Sequence, residues 1–239
     1  MDKERKIYTS FHDIPPREYM YFPRGTIEQG KPGKFSRIEL SHLIISMGVL
    51  TLSFALVISG NSLLNGFRNI DLLPMGLLFS SLGIFTAFFF HEMSHKFMAQ
   101  RYGLWAEYRM FPMGLLLAVF LALFTGFVFA APGAVMFRGS SRGFETGRIA
   151  MAGPLANIII AGVCFILYSF VFFETDFASI FGFIFFINAF LATFNLIPFG
   201  PLDGIKIIRW NINIWIVMFI SAVFLMVLSF QRISGVGFF

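Results

Sequence analysis

Charge is what this chain has least of. Of its 239 residues, 13% are Asp, Glu, Lys or Arg and 57% are hydrophobic, with a mean hydropathy of +0.77. Soluble domains carry about twice that share of charged residues, so the water-soluble globular class is excluded. Cysteine is almost absent. Cys164 is alone and lies in an apolar run, so no intramolecular disulfide can form and the thiol reads as a small buried apolar group. A cleavable signal peptide is not expected, because the first 39 residues are polar and charged. There is no internal repeat and no low-complexity tract. The net charge of +5 reports membrane topology rather than a basic patch, and no nucleic-acid partner is expected.

Long apolar runs are abundant. They cover about 41–59, 72–102, 112–131, 149–173, 178–197 and 212–230. A stretch of about 20 residues spans the ~30 Å hydrocarbon core. The expected fold is an all-α polytopic membrane protein with five to six transmembrane helices, solvated by the lipid bilayer. Residues 1–39 hold eight Lys/Arg, six Asp/Glu and the breakers Pro15, Pro16, Pro23 and Pro32, so they read as a polar segment on the membrane surface. Its Phe11, Tyr19, Tyr21 and Phe22 suggest that it docks on something. Residues 40–239 form the membrane domain, with a core at 72–210. Glu174 and Asp176 mark an acidic turn. Ala150, Ala152, Gly153 and Ala156 would let helix backbones approach closely.

Inside the second run stands His91-Glu92-Met93-Ser94-His95. Two histidines four apart share one face of a helix. Each can offer a ring nitrogen to one ion, and imidazole suits zinc. Glu92 lies close enough to reach a metal-bound water without being a ligand, the place of a general base. The bland alternative is a pair of core histidines. Three ionisable groups within five residues of a membrane helix argue against it, since a charged residue there costs about 2.5–3.5 kcal/mol even on mild scales. His12 and His42 have no ligand spacing and are taken as structural.

A catalytic zinc needs three protein ligands and an open position. Asp203 stands out among the few other carboxylates, after the breakers Pro198 and Pro201. Broken backbone at membrane depth is tolerated only where it lines a cavity or is buried in protein. Asp203 could equally cap the following helix, and position alone does not choose.

Parity adds a constraint. If Asp203 joins the histidines, runs 72–102 and 178–197 end at the same membrane face, so 112–131 makes no net crossing. With that segment re-entrant, Lys and Arg divide sixteen to two between the faces; with it spanning, twelve to six. The first division obeys the positive-inside tendency far better. The expectation is therefore five spanning helices plus a membrane-embedded hairpin or re-entrant segment at about 112–137, with the N-terminus and the active-site end cytoplasmic. Gly133–Phe137 reads as a short strand. If the bond such a centre hydrolyses is a peptide bond, the substrate must be extended, and an extended peptide needs an edge to pair with. The backbone freed around Pro198–Pro201 could help to hold it.

The His91–His95 motif, Gly153-Pro154-Leu155-Ala156-Asn157, and the run from Asn195 through Pro198 and Pro201 to Leu202-Asp203-Gly204 together resemble the site-2 protease family of intramembrane zinc metalloproteases, of prokaryotic or archaeal type. The resemblance covers about residues 72–210. It implies that His91, His95 and Asp203 bind one zinc ion per chain, that Glu92 is the catalytic base, and that Asn157 and Asn195 steady substrate or the oxyanion. It also implies a transmembrane segment of another protein as substrate, already shortened by an earlier cut, and a cell-membrane location. Many members follow the Asp-Gly with a second Gly, where this chain has Ile205; the change bears on packing rather than chemistry. No stretch is long enough for an added PDZ or CBS module. Two rival readings are a catalytically silent binder of membrane helices with the same fold, and a metal transporter. Glu92 argues against the first, and the lack of a second polar pathway against the other.

Overall fold

The computed structural model describes residues 34–128, 131–138, 141–172, 175 and 177–233. The polar segment up to residue 33 and the acidic residues Glu174 and Asp176 lie outside the described residues.

Among the described residues, nine elements follow in chain order: α1 (Arg37–Ile58), α2 (Ile70–Arg101), β1 (Trp105–Met110), α3 (Pro112–Thr125), β2 (Gly133–Arg138), α4 (Gly143–Val171), α5 (Ala178–Asn195), α6 (Asp203–Trp210) and α7 (Ile212–Ile233). Five of them, α1, α2, α4, α5 and α7, are long and apolar enough to cross a membrane. Their outward faces are apolar as well as their cores. Ile44, Val163, Ile220 and Phe224 are all exposed, as a bilayer solvent permits and water does not. This is the architecture of a multi-pass membrane protein, with a small two-stranded sheet set among the helices.

Local chemistry sets the helix ends. Ser36 caps α1 by accepting the Glu39 N–H at 3.1 Å, and α4 opens with the Arg142 N–H donating to Glu145 at 3.0 Å. Helix α1 thus starts at Arg37, inside the polar segment expected up to residue 39, and Glu39 is fully buried. Two elements differ from the simple runs. Helix α2 contains a wide π turn at Phe85–Phe89, immediately before His91. The run expected at 112–131 is helical only to Thr125, where Gly126 ends it in the left-handed conformation.

The segment 111–132 makes no net crossing. Its two ends meet, with the Phe111 N–H donating to Pro132 O at 2.8 Å, while near its tip the Leu63 N–H donates to Leu123 O at 2.7 Å. Residues 61–63 belong to the loop between α1 and α2. The helix therefore descends to the far end of α1, and Ala131 lies back beside Gly114, near the helix start. Its fourteen residues span only about 21 Å at 1.5 Å per residue, short of the hydrocarbon core. This is the re-entrant hairpin that parity required.

The strand read at 133–137 is β2. It pairs antiparallel with β1, in the register Tyr108↔Val135 and Glu107↔Met136. Strand β1 is an addition to what the sequence leads one to expect. The sheet is held against α1 and α2: Phe88 packs edge-on to Tyr108 at 5.5 Å, and the Tyr108 hydroxyl lies 2.9 Å from both Ser46 Oγ and Pro132 O.

Candidate metal centre and active site

Helix α2 carries His91 and His95 on its buried face, where α4 packs against it. Both imidazoles use Nδ1 to bond protein. His91 Nδ1–H donates to Asn157 Oδ1 at 2.6 Å, and His95 Nδ1–H donates to the Ile149 carbonyl at 2.7 Å. Since a backbone carbonyl can only accept, His95 carries its proton on Nδ1 and turns an Nε2 lone pair inward. Asn157 does the same for His91. The two Nε2 atoms lie 3.0 Å apart.

Asp203 completes the group. The turn from Leu196 to Leu202 brings the first residue of α6 back to the histidines. There is no room for a side chain at Gly204, because a Cβ there would strike the Leu196 carbonyl. The alternative that Asp203 caps the helix is not what is seen. Leu202 holds the N-cap position without a side-chain bond, and Asp203 Oδ2 lies 3.0 Å from His95 Nε2 and 3.5 Å from His91 Nε2. Its other oxygen, Oδ1, accepts from Lys206 Nζ at 3.1 Å.

These three atoms fit a zinc ion. His91, His95 and Asp203 are all buried, and their ligand atoms lie within 4.8 Å of one another. Ligands 2.0–2.1 Å from a tetrahedral zinc are separated by about 3.3 Å. The separations of 3.0, 3.0 and 3.5 Å bracket that value. Nitrogen lone pairs and a carboxylate oxygen gathered at that spacing have no hydrogen to share among them, whereas a dication satisfies all three. Gly153 keeps the space open, since a Cβ there would collide with His95 Nε2 and His91.

Glu92 borders the same space. Its Oε2 accepts the Val135 N–H at 3.2 Å, which ties β2 to the motif helix. That N–H points away from β1. By the two-residue period of a strand, the peptide groups of Gly133 and Phe137 point the same way. The outer edge of β2 faces a cavity of about 440 Å³ lined by His91, Glu92, His95, Asp203 and Lys206, by residues 131–135, and by apolar side chains of α5. Phe199 and Pro201, from the broken stretch before Asp203, line it too.

The two asparagines part company. Asn195 lines the cavity, with its Nδ2 donating to the Leu191 carbonyl at 3.0 Å. Asn157 is fully buried behind His91, and its Nδ2 donates to the Ala87 carbonyl at 2.8 Å and to Asn188 Oδ1 at 2.9 Å. It touches the His91 ring rather than the cavity, a place the sequence motif does not disclose. Asn188 and the Lys96–Glu39 ion pair beside the site escape sequence reasoning as well. Only their polarity inside apolar surroundings could have flagged them.

No family model matches the sequence, and no solved structure matches the fold. Among curated proteins, a Methanocaldococcus jannaschii protein named "Putative zinc metalloprotease MJ0611" is 37% identical over 190 residues, which cover 77% of this chain and 91% of that protein.

Proposed function

The chain belongs to the zinc metalloprotease family of that Methanocaldococcus jannaschii protein, and from this we propose that it is an intramembrane protease of the site-2 type, cutting peptide bonds in or near transmembrane segments of other proteins. The observation that carries the reading is the convergence of His91 Nε2, His95 Nε2 and Asp203 Oδ2 beside Glu92, in a cavity walled by helices long enough to cross a bilayer.

A zinc ion held by those three residues would supply Lewis acidity to a water molecule and to the scissile carbonyl. Glu92 keeps one carboxylate oxygen on the Val135 N–H, which leaves Oε1 to take a proton from the attacking water and return it to the leaving amine. The outward edge of β2 binds the substrate as an added strand, presenting an extended peptide bond to Glu92. A helical substrate offers no free carbonyl, so an unwound segment is required. Asn195 borders the cavity where it can donate to the substrate or the oxyanion. The basic face, which bears the site, lies toward the cytoplasm of a cell membrane, so water reaches it from that side.

The test is cleavage of a tagged single-span membrane protein by the purified chain in detergent. Wild-type protein is expected to cut it, and both Glu92→Gln and a zinc chelator to abolish cutting. Cleavage that survives Glu92→Gln would sink the mechanism. A protein that binds zinc but cuts no member of a panel of single-span substrates would favour the silent binder.

A further inference from the structure

A histidine can bind metal through Nε2 only while its ring proton sits on Nδ1. For His95 a backbone carbonyl enforces that state. For His91 the partner is an amide, which can turn over and present either oxygen or nitrogen. Something must hold it.

We propose that Asn188 is a positioning residue for the metal ligand His91, acting through Asn157; the proposal rests on the metal reading above. Asn188 lies on α5 and is fully buried. Its Nδ2 is 2.9 Å from the Ile184 carbonyl and 3.2 Å from Thr86 Oγ1. The Ile184 carbonyl can only accept. Thr86 commits its own hydrogen to the Leu82 or Gly83 carbonyl, at 2.9 and 3.1 Å, so it too accepts from Asn188. The amide of Asn188 is therefore fixed, with Oδ1 turned to Asn157 at 2.9 Å. Asn157 then spends its two amide hydrogens on Asn188 Oδ1 and on the Ala87 carbonyl, and has only its oxygen left for His91.

An Asn157 turned the other way would set an N–H₂ against His91 Nδ1. The ring proton would move to Nε2 and point at Asp203 and His95, where the metal belongs. The π turn of α2 supplies both outer anchors, Thr86 and the Ala87 carbonyl, within about one turn of the histidine. With Asn157 and Asn188 both fully buried, water has no access to substitute for a lost partner.

The experiment measures zinc affinity of the purified full chain in detergent by competition with a chromophoric chelator, together with the ligand-field spectrum of the cobalt(II)-loaded protein. Asn188→Leu is expected to weaken zinc binding about tenfold, the lower end for partners beyond the ligands, and to alter the cobalt spectrum. Thr86→Val, which removes the acceptor beneath Asn188, should shift affinity the same way by less, and decides the matter if Asn188→Leu does not fold. Asn188 and Thr86 variants that bind zinc as wild type does, whatever their effect on thermal unfolding, would overturn the relay and leave a purely structural contact. A folded wild type that binds no zinc would overturn the metal reading itself, and the relay with it.

Discussion

The backbone N–H of Val135 donates to Glu92 Oε2 at 3.2 Å, so the strand edge that faces the cavity also positions the group read as the base. On the opposite edge of the sheet, the Tyr108 N–H donates to Glu39 Oε1 at 3.0 Å, and Glu39 is paired with Lys96, the neighbour of His95. The two-stranded sheet is thus tied to the motif helix from both sides. The outer edge of β2, Glu92 and the helix turn that bears both histidines are thereby joined through one sheet.

Val135→Pro tests the first tie. The lost N–H serves Glu92 and not the ladder to β1, and proline is tolerated at a strand edge. The sheet should therefore survive while Glu92 loses its anchor. We expect kcat/KM for a membrane substrate to fall about 10²-fold, within the range for a displaced acid–base group, with zinc content unchanged. Unaltered kinetics would show that the contact has no part in turnover.

Gly153→Ala tests the space for the metal. The added methyl would meet His95 Nε2 and His91, and neither ring can yield, because each is held at Nδ1 by a bond to Asn157 or Ile149. Zinc affinity should fall about tenfold or more, read by chelator competition, with little change in helical content by circular dichroism. Gly162→Ala, in the same helix, is the control, since nothing lies within 4 Å of a Cβ there.

Much of this arrangement is legible in the sequence. The spacing of His91, Glu92 and His95 places them on a helix by periodicity alone, and the breakers around Asp203 announce irregular backbone where a third ligand is wanted. The parity of apolar runs and the distribution of Lys and Arg point to the re-entrant hairpin. Strand β1 is not legible. Trp105-Ala106-Glu107-Tyr108-Arg109-Met110 places Glu107 and Arg109 in buried positions, and what permits this is a mutual ion pair and a bond from Ser36, 71 residues away. Asn188 is hidden for a similar reason. Its partners are the Ile184 carbonyl one turn back, the Thr86 hydroxyl on α2 and the Asn157 amide on α4, and a lone polar residue in an apolar run does not reveal them.

Lys96 and Glu39 carry the second tie, and both are fully buried. Removing one member of a buried pair leaves an uncompensated charge and costs about 3–5 kcal/mol. Lys96→Met should therefore lower the thermal unfolding midpoint in detergent markedly. The double variant Lys96→Met with Glu39→Gln removes both charges and keeps an oxygen for the Tyr108 N–H. It should regain most of the loss. Additive destabilisation in the double variant would show that the two charges do not act as a pair.

The topology gives the most direct test of the fold. Because the Phe111 N–H meets Pro132 O, the segments before and after the hairpin lie on one side of the membrane, and the loop between α1 and α2 lies on the other. In a Cys164→Ser background, single cysteines at Arg101 and Ser141 should therefore behave alike toward a membrane-impermeant thiol reagent, and a cysteine at Arg68 should behave oppositely. The Lys and Arg distribution sets the sign. In intact cells Arg68→Cys should be labelled, while Arg101→Cys and Ser141→Cys should react only after the membrane is opened. Were 112–131 a sixth span, Ser141→Cys would label together with Arg68→Cys instead. Asp203 would then sit at the face opposite to His91 and His95, and the three could not share an ion. Labelling at Ser141 thus tests the fold and the metal centre in a single experiment, without requiring a substrate.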